Sequence, residues 1–124
     1  MRFDVMRTEY KRIRSYTTKD GSLVRELMHP RLHGNSRQSL AEAIVPAGAE
    51  TLMHRHLLSE EIYHIAEGAG VMTLGADQFE IKTGDTVCTL PGTPHRVKNT
   101  GASPLRILCC CSPAYSHDDT ELVT

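Results

Sequence analysis

The sequence predicts an all-β fold, an antiparallel sandwich or barrel made by a single domain. Turn-forming Gly, Pro, Asn and Asp recur along the 124 residues and leave segments that are too short for most helices but suit strands. Several segments, such as 71–74, 79–81 and 105–109, alternate apolar and polar side chains, which is the pattern of a strand with one buried face. A chain of this length can bury one core without disulfide bonds.

Composition and charge exclude several classes of protein. The chain carries 14 Lys and Arg against 15 Asp and Glu, so it has no overall basic field to hold nucleic acid. Basic residues do gather near the N-terminus, but acidic residues interrupt them, which favours a solvated tail. No apolar stretch approaches the roughly 20 residues of a membrane helix, and the first residues lack the apolar part of a secretion signal. We therefore expect no nucleic-acid or membrane partner and a cytoplasmic location.

The elements follow in order along the chain. Residues 1–20 are expected to form an arm that can contact a second copy of the chain, and residues 21–115 should form the barrel. Within the barrel, residues 75–78 resemble the turn of a hairpin between two alternating segments. Residues 116–124 should be a tail or a short helix, because Ser116 can cap a helix over 118–122 and Asp118 and Asp119 suit its first turn.

Histidine is unusually frequent, with 7 His against 4 Tyr, 2 Phe and no Trp. His54 and His56 lie two apart on a predicted strand, so they share a face and are roughly 6.6 Å apart along it. Because metal–imidazole bonds are about 2.1 Å long, two converging rings at that separation can hold one ion. Either Glu60 or Glu61 could add a carboxylate, and we prefer Glu61 because it shares a face with Tyr63, which looks like an interior residue.

A second region, residues 84–99, predicts a buried strand that ends in a Pro-Gly-Thr-Pro turn. Both prolines restrict φ, and Gly92 can adopt conformations that other residues avoid. This turn would present His95 on a rigid mount, which is what a metal ligand needs.

These two regions resemble the two motifs of the cupin superfamily. The first motif is a glycine, five residues, HxH, three or four residues, Glu, six residues and a glycine; its matches are Gly48, His54, His56, Glu61 and Gly68. The second is a glycine, five residues, PxG, two residues, His, three residues and Asn; its matches are Gly84, Gly92, His95 and Asn99. Leu90 departs from the motif, which has proline there, and Pro91 follows it.

The resemblance implies a double-stranded β-helix, or jelly-roll barrel, whose lumen holds one divalent transition metal per chain. Carried over residue by residue, the implied ligands are His54, His56, Glu61 and His95. Iron, manganese, nickel, cobalt, copper and zinc all suit three His and one Glu, so the ion stays open. Cupins commonly form homodimers in which N-terminal strands take part, and residues 21–30 are the candidate segment.

The resemblance leaves several functions open. Four protein ligands leave one or two positions of an octahedral ion for a small-molecule substrate or dioxygen. We place a metal-dependent enzyme first, with dioxygenase-type oxidation ahead of isomerase-type chemistry on a sugar or sugar acid. A non-catalytic cupin that binds or senses a small ligand, and a protein whose metal is structural, are the alternatives.

Other residues receive weaker assignments. Tyr63 and His117 are candidate catalytic residues: Tyr63 shares the face of Glu61, and His117 could reach the barrel mouth. His64 alternates away from Glu61, so we expect it outside the site. His29 and His33 lie in a loop-like stretch, so we expect both on the surface. Asn99 should pin a turn or loop.

The four cysteines do not form a zinc clamp. Three of them are consecutive, and neighbours on a strand point to opposite faces. We expect them to be small buried apolar side chains, with the alternative that one inward thiol lies near a functional site. They are Cys88, Cys109, Cys110 and Cys111.

Overall fold

The structure is a computed structural model that describes residues 5–124. Its strands form two antiparallel sheets, one of six strands and one of five, with the core between them. This confirms the predicted all-β double-stranded β-helix. The start of the expected arm, residues 1–4, lies outside the described residues. Contact of residues 1–20 with a second copy stays a prediction.

In chain order the strands are β1 (Tyr16–Thr17), β2 (Leu23–Met28), β3 (Ser39–Val45), β4 (His54–His56), β5 (Glu60–Glu67), β6 (Ala69–Leu74), β7 (Asp77–Lys82), β8 (Thr86–Thr89), β9 (His95–Asn99), β10 (Leu105–Ser112) and β11 (Thr120–Leu122). The six-stranded sheet has the order β1-β2-β3-β10-β5-β8 and the five-stranded sheet the order β11-β4-β9-β6-β7. Among the described residues, helical structure amounts to a 3-10 helix at Tyr10–Arg12 and a short helix, α1, at Pro30–His33. Within residues 5–124, no helix is both long and apolar enough to span a membrane.

Strict alternation of side chains builds the core. In β5 and β10 every second residue is buried, so each strand gives one face to the core and the other to the outside. The most deeply buried apolar side chains come from both sheets; they include Ile65, Met72, Val97 and Leu105. Where β6 passes β9 the backbones come so close that a Cβ on Gly70 would lie 2.3 Å from the Lys98 carbonyl oxygen, so this position requires glycine.

The C-terminal segment differs from the helix that the sequence admits. Residues 117–119 form a turn, and β11 then pairs with β4, with Thr120 opposite His56 and Leu122 opposite His54. The Asp119 carboxylate accepts hydrogen bonds from Leu58 N and Ser59 N and does not act within a helical first turn. The reason is tertiary: β11 provides hydrogen-bond partners for the outer side of β4, which would otherwise be an edge strand.

The prediction that His29 lies on the surface is wrong. His29 is buried, its Nδ1 accepts a hydrogen bond from Arg31 N, and its Nε2 lies 2.7 Å from the Tyr115 carbonyl oxygen. It is therefore the N-cap of α1 and also ties α1 to the C-terminal segment. His33 is half-buried, and its Nδ1 accepts from His29 N.

The cysteines divide by strand position. Cys109 and Cys111 face the core, whereas Cys110 is half-buried on the opposite face of β10. Cys88 is exposed, so the expectation that all four are buried is wrong for this residue. On β8 the side chains of Val87 and Thr89 face inward, so Cys88, which lies between them in sequence, points to the outside.

Candidate metal centre

Two strands of one sheet and one strand of the other bring four donor side chains together. His54 and His56 share the inward face of β4, and His54 lies directly opposite His95 on the neighbouring β9. Glu61 reaches the same point from β5 in the facing sheet. All four residues are buried, and one ligand atom from each lies within 4.8 Å of the others.

The inward carboxylate is the one that the alternation of β5 selects. Glu61 Oε1 lies 3.1 Å from His56 Nε2 and 3.3 Å from His95 Nε2. Glu60 is exposed. His64 is also exposed, with its Nδ1 hydrogen-bonded to Thr86 Oγ1, so it lies outside the site as predicted.

The hydrogen bonds on the far side of each imidazole ring set its tautomer. His54 Nδ1 lies 2.9 Å from the Leu52 carbonyl oxygen, and His95 Nδ1 lies 3.0 Å from that of Thr93. Because a carbonyl oxygen can only accept, both Nδ1 atoms carry the proton. In the neutral rings each Nε2 therefore presents a lone pair.

A hydroxyl group sets the tautomer of His56, which is the same as that of His54 and His95. Its Nδ1 lies 3.1 Å from Thr120 Oγ1, and that hydroxyl donates its own hydrogen to the Ser116 carbonyl oxygen. Thr120 Oγ1 must then accept from His56 Nδ1, which leaves the lone pair on His56 Nε2.

The resulting donor set fits a metal cation. Three imidazole lone pairs and a carboxylate oxygen converge on one buried point, and His95 Nε2 has no hydrogen-bond partner among the described residues. Buried acceptors without a partner are costly, and a cation at their centre removes that cost. Outer hydrogen bonds that orient metal-ligating imidazoles are usual in metalloproteins. These four residues could therefore hold a metal ion.

A thiol orients the carboxylate. Cys111 Sγ donates to Glu61 Oε2 at 3.0 Å, and burial raises the pKa of Cys111, so the thiol keeps its proton. Burial alone would raise the pKa of Glu61, but the neighbouring imidazoles of His56 and His95 lower it well below the usual range. Glu61 is therefore a carboxylate that turns one oxygen to the thiol and the other to the histidines. Cys111 is the inward thiol that the sequence allowed.

Sequence reasoning missed Asp20, a further carboxylate beside the site. Its Oδ2 lies 3.6 Å from His54 Nε2. Its Oδ1 accepts hydrogen bonds from Thr18 Oγ1 at 2.6 Å, Ser22 N at 2.9 Å and Ser22 Oγ at 2.7 Å, which hold the side chain in place. The available signal was the Thr-x-Asp-x-Ser pattern, which is typical of an Asp side chain fixed by its own turn.

A cavity extends from the four residues between the two sheets. The cavity has an accessible volume of about 50 Å³, which is enough for a few water molecules. Its walls include Asp20, Glu26, Tyr63 and Tyr115. Burial, and then the nearby charge of Glu61, raise the pKa of Tyr63, so its hydroxyl stays protonated. His117 is exposed and lines a shallower outer pocket instead of this cavity.

The Pro-Gly-Thr-Pro turn is tied to the site. Gly92 adopts φ 81°, a left-handed conformation that favours glycine, and its N–H donates to the His56 carbonyl oxygen at 2.7 Å. Leu90, which departs from the cupin motif, is exposed. At the end of β9, the Asn99 amide donates to the carbonyl oxygens of Val45 and Ser103, so Asn99 pins a loop as predicted.

Comparison with known proteins agrees with this geometry. A family model described as Cupin domain matches residues 41–111, more than half of the chain. The chain belongs to the cupin family. An uncharacterized protein of Methanocaldococcus jannaschii, MJ1618, is 56% identical over 119 residues, which cover 96% of this chain and 95% of the relative.

Solved structures show the same fold. The polyketide cyclase RemF from Streptomyces resistomycificus has a TM-score of 0.79 and 19% identity, covering 98% of this chain and 87% of its own. A predicted oxalate decarboxylase from Thermotoga maritima has a TM-score of 0.73 and 26% identity, covering 89% of this chain and 99% of its own.

Proposed function

We propose that this cupin binds one divalent transition-metal ion through His54, His56, Glu61 and His95 and acts as an enzyme on a small molecule in the adjoining cavity. The observation that carries the proposal is the set of three imidazoles held with their Nε2 lone pairs toward one buried carboxylate oxygen. Iron, manganese, nickel, cobalt, copper and zinc all accept such a donor set.

The residues around that ion have different roles. When bound, the ion supplies a Lewis acid, or a redox centre if it is iron or manganese. Glu61 offers it one oxygen, because the other accepts the hydrogen of Cys111. Four donor atoms then leave room for a substrate atom on the cavity side. Tyr63 can donate its hydroxyl hydrogen to a bound molecule, and Asp20 Oδ2 can accept one.

Oxidation by dioxygen, as in a dioxygenase, is the reaction that we place first, because three imidazoles and one carboxylate suit a redox-active ion such as iron or manganese. Isomerase-type chemistry without redox change, on a sugar or sugar acid, is the second candidate. Asp20 favours the second, since its free carboxylate oxygen, 3.6 Å from His54 Nε2, can take a proton from a substrate carbon or hydroxyl.

The metal site is tested by elemental analysis after anaerobic reconstitution with Fe²⁺. The wild-type chain should retain one equivalent, and His54→Ala and His95→Ala should lose it because each removes a converging Nε2. His64→Ala is the matched control: this histidine is exposed on β5 and should leave the metal content unchanged. One full equivalent retained by His54→Ala would refute the assignment.

The reaction class is tested by measuring oxygen uptake by the iron-loaded protein with a panel of small hydroxy and keto compounds. Uptake that depends on both the iron and a substrate supports the dioxygenase. Full activity with zinc or nickel and no oxygen uptake supports the isomerase. Tight binding of a compound without any product after long incubation would instead support the ligand-binding alternative.

We also propose that two copies of the chain pair through the outer face of the six-stranded sheet. Leu40, Cys110 and Ile62 lie side by side there, opposite one another on β3, β10 and β5, and Leu40 and Ile62 are exposed. Exposed apolar side chains in a row favour a protein contact. Light scattering after gel filtration should give twice the chain mass, and Ile62→Lys should give the monomer. A monomeric wild type would refute the pairing.

A further inference from the structure

We propose that the cavity beside the metal centre selects a small neutral or cationic molecule that carries hydroxyl or ammonium hydrogens, and rejects carboxylate and phosphate anions, with Glu26 as the specificity-determining residue. This inference deepens the proposed function and rests on it, because the four metal-site residues stand beside this cavity. It names the chemical class of the molecule, which the metal site alone does not define, and it disfavours the sugar acid among the candidate substrates of the isomerase.

Glu26 presents an unused acceptor to the cavity. It lies on β2, is 5% exposed, and is part of the cavity wall. Its Oε1 accepts the hydroxyl hydrogen of Tyr16 at 2.6 Å, whereas its Oε2 is buried and has no hydrogen-bond partner in the described part of the chain. A buried acceptor without a donor is unfavourable, so a ligand that brings a hydroxyl or ammonium hydrogen to Oε2 gains free energy there.

The charges on the wall favour the same class of ligand. Three carboxylates line the cavity, those of Asp20, Glu26 and Glu61, and no Lys or Arg among residues 5–124 does. A bound divalent ion adds two positive charges, which leaves the wall one charge negative when the histidines are neutral. An anion would therefore enter a negative, largely buried space, which is costly. Arg31 lines the outer pocket, which Glu26 also borders, and does not line the cavity.

The other polar groups on the wall do not reverse this preference. Tyr16, Tyr63 and Tyr115 keep their hydroxyl hydrogens because burial raises the pKa of each. The hydroxyl of Tyr16 is already committed to Glu26. Neutral hydroxyls can donate or accept, so they accommodate an alcohol or an amine as readily as they would an anion.

The accessible volume of the cavity, about 50 Å³, suggests probes of about four non-hydrogen atoms, because one water molecule needs roughly 10–15 Å³ of accessible volume. Three compounds of similar size differ in charge: ethanolamine is a cation, ethylene glycol is neutral and glycolate is an anion. Their dissociation constants would be measured from methyl NMR shifts of Ala41 and Ala43, which line the cavity, in metal-free and zinc-loaded protein at neutral pH.

In the metal-free protein we expect ethanolamine to bind at least about tenfold more tightly than glycolate, with ethylene glycol between them. Glu26→Gln should lower that ratio by about tenfold, in both the metal-free and the zinc-loaded protein, because it removes the charge and keeps the shape. Glu80→Gln is the matched control: Glu80 is exposed on β7, outside the cavity wall, and should leave the ratio unchanged. If Glu26→Gln does not fold, Glu26→Met tests the loss of the Glu26 charge instead.

Glycolate that binds the metal-free wild type as tightly as ethanolamine would overturn the inference, as would a ratio that Glu26→Gln leaves unchanged. The absence of any shift with ethanolamine would overturn it as well. The metal-free measurements do not depend on the ion. A chain that retains neither zinc nor Fe²⁺ therefore refutes the proposed function, while the preference among the three probes still decides this inference.

Discussion

Acidification should weaken metal binding, and His56 should take up a proton at a higher pH than His54. Burial alone would lower the pKa of His56, but its hydrogen bond to Glu61 and the charge of that carboxylate outweigh burial and raise it. The pKa of His54 is lowered, by burial first and then by the charge of His95. Because an imidazole must be neutral to bind a metal, His56 gains a competing proton at a higher pH than His54 does.

The size of the effect follows from one proton per ion. Below the pKa of His56, each unit by which the pH falls should raise the apparent dissociation constant of the metal about tenfold through this residue. The dependence should become steeper at lower pH, where His54 also takes up a proton. The onset lies above the unperturbed imidazole value of 6.5, since the pKa of His56 is raised.

In the metal-free protein, the ion pair between Glu61 and His56 makes its own pH-dependent contribution to stability, and the lowered pKa of His54 opposes the His56 part of it. The lowered pKa of Glu61 stabilises the fold above its unperturbed value of 4.5, and this contribution is lost as pH falls through the folded-state pKa. The raised pKa of His56 stabilises the fold below 6.5, and this contribution is lost as pH rises through the folded-state pKa. The ion pair therefore stabilises the metal-free protein most between these two values.

Two measurements check this reasoning. Competition for Zn²⁺ with a chromophoric chelator, from about pH 5 to about pH 8, gives the dissociation constant, and thermal unfolding gives the stability of both forms. His64→Ala should show the wild-type slope. A metal affinity that does not change with pH would refute the assigned proton competition.

Three further outcomes test the fold. Gly70→Ala should destabilise the protein by about 1–3 kcal/mol, seen as a melting temperature about 4–12 °C lower, because its Cβ would meet the Lys98 carbonyl oxygen; an unchanged value would contradict that contact. Asn99→Ala should lower the free energy of unfolding in urea by about 1–3 kcal/mol, since buried carbonyl groups lose their donors; a neutral effect would show that water replaces the amide. In the Ile62→Lys variant, in which the proposed pairing face stays open, a thiol reagent should modify Cys88 much faster than Cys111, and equal rates would contradict their different exposure.

The sequence located the four metal-site residues because their positions depend on local regularities. His54 and His56 share a face by strand alternation, and the same rule separates Glu61 from the exposed Glu60. The Pro-Gly-Thr-Pro turn places His95 by local backbone geometry. The predicted facing is retained in the structure because each of these strands is paired with its neighbours and keeps one face inward.

What the sequence did not predict depends on contacts between distant segments. Asp20 reaches His54 from a turn near the start of the described chain. His29 is buried because its ring meets the Tyr115 carbonyl oxygen, 86 residues away. Residues 120–122 become a strand because β4 offers an unpaired edge. These contacts cannot be predicted from residue spacing, because they depend on how the two sheets pack against each other.

The run of three cysteines on β10 has a consequence for how the barrel assembles. A slip of this strand by one residue would replace Cys111 by an identical thiol beside Glu61, so these positions alone cannot distinguish the correct alignment. The same slip would carry Arg106 inward and separate it from Glu42, with which it forms an ion pair at 3.1 Å. The fidelity of the metal site during folding therefore depends on the charged and aliphatic residues at the other end of the strand.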